Sequence, residues 1–95
     1  MKRLNLGAGT DIRPKDEGWV NCDVRPLDGI DLVFDVVDGL PFAMGFPLGW
    51  DEVLAQDLLE HLPIDKVPFF LSECFRVLKS GGVLNLRIPD LPKIM

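Results

Sequence analysis

Apolar residues along this chain come in short runs separated by turns, and only one stretch repeats at helical spacing. Leu4 and Leu6 alternate with Asn5 and run directly into Gly7-Ala8-Gly9, which predicts a strand from Arg3 to Leu6 ended by glycine. Trp19 to Val24 predicts a second strand, with Pro26 as its stop; Ile30 to Val36 predicts a third and Asp51 to Gln56 a fourth. Val67, Phe70, Leu71, Cys74, Phe75 and Leu78 recur every three or four positions, as in an amphipathic helix from about Asp65 to Lys79. Pro68 is tolerated there because it falls in the first turn. Ser80-Gly81-Gly82 reads as the helix stop, with Lys79 at the negative end of the dipole. Val83 to Ile88 is the fifth strand, closed by Pro89, with Asn85 and Arg87 on one face and Leu84, Leu86 and Ile88 on the other. Strands separated by crossovers predict a parallel sheet of the α/β class. Between Gly9 and Trp19 there is room only for a stunted crossover.

Length and charge narrow the functions open to such a sheet. The 95 residues make one domain, and 47% hydrophobic with 26% charged residues is ordinary for a folded globular chain. A net charge of −5 with no basic cluster argues against nucleic acid or an anionic membrane surface as the main partner. No apolar run reaches the roughly 20 residues of a membrane span, and the polar start at Lys2 and Arg3 leads into no signal-type apolar region. Cys22 and Cys74 lie far apart, each without a second thiol nearby, which predicts reduced buried thiols in a cytoplasmic protein. With one His, no transition-metal site is expected.

The chemistry is concentrated at three strand ends. Gly-x-Gly after a strand lets a ligand approach the main chain closely. Asp23, at the end of the second strand, is suited to accept hydrogen bonds from both hydroxyls of a ribose. Asp35, at the end of the third, could take an exocyclic amine while Val36 and Leu40-Pro41-Phe42 wall an adenine. The three ends together favour a nucleoside site. A dinucleotide is disfavoured, because the third glycine of G-x-G-x-x-G is missing and Asp11 puts negative charge where a phosphate would lie. A ligand with an amino-acid head group, ammonium and carboxylate, fits better.

The segments LNLGAG, GWVNCDV, IDLVFDV with GLPF, WDEVLAQDLLEHL and ECFRVLKSGGVLNLRIPDL together resemble the class I S-adenosylmethionine-dependent methyltransferases. They are most similar to the small type 11-like group often found beside sugar and lipopolysaccharide enzymes. The resemblance covers Lys2 to Leu91. It implies a Rossmann-like parallel sheet of strand order 3-2-1-4-5 in one domain, residues 1–95, lacking the usual last two strands. It also implies S-adenosylmethionine as cofactor and methyl transfer to a small-molecule or sugar-type acceptor. Position by position, it implies that Gly7 and Gly9 line the methionine portion, Asp23 binds the ribose, and Asp35 and Val36 flank the adenine, with Asn5, Ala8 and Val24 also among the cofactor-binding residues. Gln56 and Asp57 would border the sulfonium. The resemblance names no catalytic residue; Asp57 and His61 are the candidates near the sulfur. Asn5 stands where the family commonly has an acid, and the stretch from Ala43 to Trp50 is longer and more apolar than its usual turn, as an exposed patch for a partner or acceptor would be. An exposed fifth strand invites pairing, so a homo-oligomer through that edge, the adjacent exposed helix face or a missing C-terminal portion is expected. The alternative is a catalytically inactive module that works by nucleoside binding or association.

Overall fold

The structure, a computed structural model, describes residues 1–43 and 49–88. The expected strand stop at Pro89 and most of the apolar stretch from Ala43 to Trp50 lie outside the described residues. The strands β1 (Arg3–Leu6), β2 (Trp19–Asp23), β3 (Leu32–Val33), β4 (Trp50–Gln56) and β5 (Leu78–Arg87) form one parallel sheet in the order β3-β2-β1-β4-β5. The Rossmann-like arrangement expected from the sequence is thus present. Its central register pairs Leu4 with Val20 and Val53, and Leu6 with Cys22 and Ala55.

Alternation along β1 explains both sides of the sheet. Leu4 and Leu6 point to one face, where Cys22, Val53 and Ala55 join them against Phe70, Cys74 and Val77 of the helix α1 (Val67–Val77). Each large apolar side chain buried there contributes about 1.5–3 kcal/mol. Asn5 points to the other face beside Asn21 and Leu54. The stunted crossover covers these residues with a single 3₁₀ turn, Lys15–Glu17, and side-chain amides stand in for the missing helix. Asn5 Nδ2 donates to Asp11 O and Asn21 Oδ1, both at 2.9 Å. Asn21 in turn accepts from the Arg13 N–H and donates to the Arg13 carbonyl, both at 3.0 Å. With Asn5 2% and Asn21 0% exposed, the pair is satisfied internally, as buried amides must be.

Three expectations need correction. The third strand is Leu32–Val33, not Ile30 to Val36. Asp31 turns its carboxylate to the Asn21 N–H at 2.8 Å, and Asp35 caps the 3₁₀ turn Val36–Asp38 by accepting from Val37 N at 3.1 Å. Asp35 thus favours a local turn over the ladder, and Asp31 spends its carboxylate on the backbone of β2. The helix is shorter than expected, and Lys79-Ser80-Gly81-Gly82 belongs to β5. The β4–β5 register slips there between Trp50 and Glu52. A Cβ at Gly82 would meet Trp50 O at 2.9 Å, so glycine permits the irregularity. Finally, Leu40-Pro41-Phe42 is no adenine wall. Leu40 is buried in the core, and Phe42 packs edge-on against Phe34 and Trp50. Arg76 holds this corner by donating to the carbonyls of Leu40 at 2.9 Å and Phe42 at 2.8 Å, while Glu73 accepts from Leu40 N at 2.8 Å. No helix among the described residues is long and apolar enough to cross a membrane.

Candidate functional site

Every parallel strand delivers its carboxyl end to the same edge, and two hollows open there on either side of Gly7. The larger, about 370 Å³, is lined by Gly7, Cys22, Asp23, Val24, Phe34, Asp35, Val36, Val37, Leu58, His61, Leu62 and Pro63. The smaller, about 200 Å³, is lined by Asn5, Gly7, Ala8, Thr10, Asp11, Gln56 and Asp57. Gly7 belongs to both. Its φ of +66° favours glycine, and a Cβ there would sit 3.1 Å from the Leu58 side chain, so the missing side chain keeps this shared wall open.

Asp23 and Asp35 meet in the larger hollow, as the nucleoside expectation requires. The two acids are built differently. Asp23 is almost wholly buried: Oδ2 accepts from Gly9 N at 2.8 Å, and Oδ1 accepts from Arg25 N at 3.0 Å and Arg25 Nε at 3.3 Å. Burial pushes its carboxyl up, but the Arg25 and Gly9 N–H groups and the Arg25 guanidinium outweigh that and hold it below the usual carboxylate range. Asp23 therefore stays ionised and ties the glycine turn to the end of β2. Asp35 is exposed and spends Oδ1 on its 3₁₀ cap. Cys22 forms part of the floor, and burial raises its thiol to about 12, so it is an inert neutral group.

Of the remaining predicted site residues, Ala8, Gln56 and Asp57 line the smaller hollow and Val24 and Val36 the larger. Gly9 lines neither; it reaches the site through its N–H on Asp23. Asn5 borders the smaller hollow with both its amide donors already bound to Asp11 and Asn21, which makes it a positioning residue. Asp57 and His61, paired in the sequence reading, face different hollows: Asp57 the smaller and His61 the larger. Asp57 is also the one non-glycine residue with positive φ among the described residues, at 55°, held by its N–H to Arg87 O at 2.8 Å. A left-handed residue beside a candidate site is strain stored where a side chain must be aimed.

Sequence reasoning missed the apolar wall formed by Phe34, Val37, Leu58, Leu62 and Pro63, and the polar Thr10. The LLEHLP run carried a usable signal: two 3₁₀ turns, Leu59–His61 and Ile64–Lys66, replace a regular helix and fold Leu58, Leu62 and Pro63 over the strand ends. No group of three or more metal-binding side chains occurs among the described residues. A family model described as a methyltransferase domain matches residues 6–86, from the end of β1 to the penultimate residue of β5. No curated protein matches the chain.

Proposed function

The chain belongs to the methyltransferase-domain family, and from that premise we propose that it binds S-adenosylmethionine across the two hollows and passes its methyl group to an acceptor, small-molecule or sugar-type by the sequence resemblance. The observation that carries this reading is the meeting of an apolar hollow holding two carboxylates and a polar hollow at one side-chain-free residue, Gly7.

The residues present fit such a ligand. Phe34, Val36, Val37, Leu58 and Leu62 give a flat base apolar contacts, and Asp35 keeps a carboxylate oxygen beyond its cap for an exocyclic amine. Asp23 Oδ1 is filled by the two Arg25 donors, while Oδ2 accepts from Gly9 N alone and keeps a lone pair for a ribose hydroxyl. Asp11 and Asp57 bring negative charge to the smaller hollow for an ammonium.

When bound, S-adenosylmethionine supplies a methyl group on a sulfonium already activated for in-line displacement. The chain's own residues then have to orient and to exclude water, effects worth up to about 7–11 kcal/mol when geometry is held. Leu58 and Leu62 close the apolar side, and Gln56 and Asp57 present polar groups just beyond Gly7. A base is required only for an acceptor that must lose its proton during transfer.

Calorimetric titration with S-adenosylmethionine and S-adenosylhomocysteine tests the reading. Both bind, and Asp23→Ala weakens both by about 10-fold or more, in line with losing charge-assisted hydrogen bonds, while Asp16→Ala in the exposed 3₁₀ turn changes neither. Absence of binding, or equal effects of the two substitutions, overturns it.

A further inference from the structure

Arg13 is the cation best held beside the smaller hollow. Its main chain is clamped at both polar groups by the buried Asn21 amide. Its guanidinium lies over the buried Trp19 ring, 5.4 Å from the centroid, and extends to Nη2, which sits 3.3 Å from Gln56 Oε1 and 3.5 Å from Asp11 Oδ2. Gln56 and Asp11 both line the hollow. Those two contacts are long for charge-assisted hydrogen bonds, and Arg13 Nε is buried with no partner among the described residues. A guanidinium has five donors, so most of its capacity is unspent. Arg3 stacks on the same Trp19 ring at 5.6 Å, its Nε likewise buried without a hydrogen-bond partner among the described residues, but it lies beside Glu52 at 3.6 Å, at the opposite end of the strands and away from either hollow.

A half-buried, ring-stacked guanidinium with donors to spare is a receptor for an anion at its exposed end. The neighbouring acids divide the work: Asp11 and Asp57 suit an ammonium, and the planar fork of Arg13 suits a carboxylate. We propose that Arg13 receives the carboxylate at the amino-acid end of the ligand, reaching it between Asp11 and Gln56. The assignment rests on the cofactor reading above. In it Trp19 and Asn21 are positioning residues that pre-aim the guanidinium.

Two ligands separate this claim from the reading beneath it. S-adenosylhomocysteine carries the amino-acid end, whereas 5′-methylthioadenosine keeps the nucleoside and sulfur and lacks it. In calorimetry, Arg13→Gln lowers affinity for S-adenosylhomocysteine by about 10- to 100-fold, the range for losing a charge-assisted pair, and leaves methylthioadenosine unchanged. Equal losses for both ligands, or no loss for the first, overturn the assignment. Should Arg13→Gln fail to give a cooperative thermal transition, Arg13→Lys takes its place. Lys keeps the charge and the stem over Trp19 but not the fork, so a smaller loss with the same selectivity supports the claim and a non-selective loss sinks it. Wild-type protein that binds both ligands equally overturns the carboxylate receptor alone. Wild-type protein that binds neither overturns the cofactor reading and this assignment with it.

Discussion

The hollows on the two sides of Gly7 share a wall and differ in almost everything else. The larger is walled by Phe34, Val36, Val37, Leu58 and Leu62, with carboxylates at its edge. The smaller is walled by Thr10, Asp11, Gln56 and Asp57 around a glycine turn. Apolar contact in the first rewards a flat ring for leaving water, and it discriminates weakly between rings. Fixed charges in the second reward only a ligand whose own charges match their positions. A molecule with an aromatic base at one end and a zwitterion at the other fits both environments at once. The difference between them also shows how each is built: the apolar side from short turns over the strand ends, the polar side from a loop pinned by buried asparagine amides.

The largest expected effect comes from the shared wall. Gly7→Val places a branched side chain at φ +66°, where a Cβ alone already lies 3.1 Å from Leu58. Affinity for S-adenosylhomocysteine and methylthioadenosine should fall together by about 100-fold or more, and the left-handed backbone should cost about 1–2 kcal/mol of stability. Retained binding of either ligand would show that the hollows do not communicate through Gly7.

A smaller and more selective effect is expected at Asp57. Asp57→Gly relieves the positive φ and should raise unfolding stability by up to about 1 kcal/mol, readable as a higher denaturation midpoint. It also removes a carboxylate from the smaller hollow alone. Affinity for S-adenosylhomocysteine should drop several-fold, about 1 kcal/mol, with methylthioadenosine unaffected. A parallel loss of both ligands would place Asp57 in the nucleoside half instead.

A pH effect concerns the two buried thiols, Cys22 on the floor of the larger hollow and Cys74 on α1. Cys22 and Cys74 are raised by burial from an ordinary 9.0 to about 12, with Asp31 and Glu73 adding to the rise. Between those values the unfolded chain sheds thiol protons that the folded chain keeps. Their contribution is intact below pH 9 and is lost as pH rises, by up to about 1.4 kcal/mol per pH unit for each thiol. Thermal melts from pH 8 to 10.5 should show the decline, and a Cys22→Ala, Cys74→Ala double variant should flatten it. An unchanged slope in that variant would mean the thiols are not the groups responsible.

Features set by alternation and short-range chemistry could be read from the sequence. The Leu4/Leu6 and Val53/Ala55 patterns announce the central strands, and Gly7 and Asp23 stand at strand ends because the glycine turn and Pro26 stop the ladder on either side. What escaped depends on partners distant in sequence. Leu40-Pro41-Phe42 reads as ligand wall until Glu73 and Arg76, more than thirty residues later, draw its backbone onto α1. Ile30 to Val36 reads as one strand until the side chain of Asp31 takes the Asn21 N–H of β2 and that of Asp35 caps a 3₁₀ turn. Arg13 carries no signal of its own in the sequence; its place depends on the fold bringing Trp19 beneath it and Gln56 to its tip. Ser80-Gly81-Gly82 serves a helix stop and a strand irregularity equally well, and only the register with Trp50 decides.

The division of labour between the hollows is tested most directly by a crystal structure of the chain with S-adenosylhomocysteine. The account predicts the base beside Asp35 and Val36, the ribose hydroxyls on Asp23, and the chain crossing Gly7 so that the amino-acid end lies between Asp11, Asp57 and Arg13. Electron density with the amino-acid end in the larger hollow, or with the ligand confined to one side of Gly7, would contradict it.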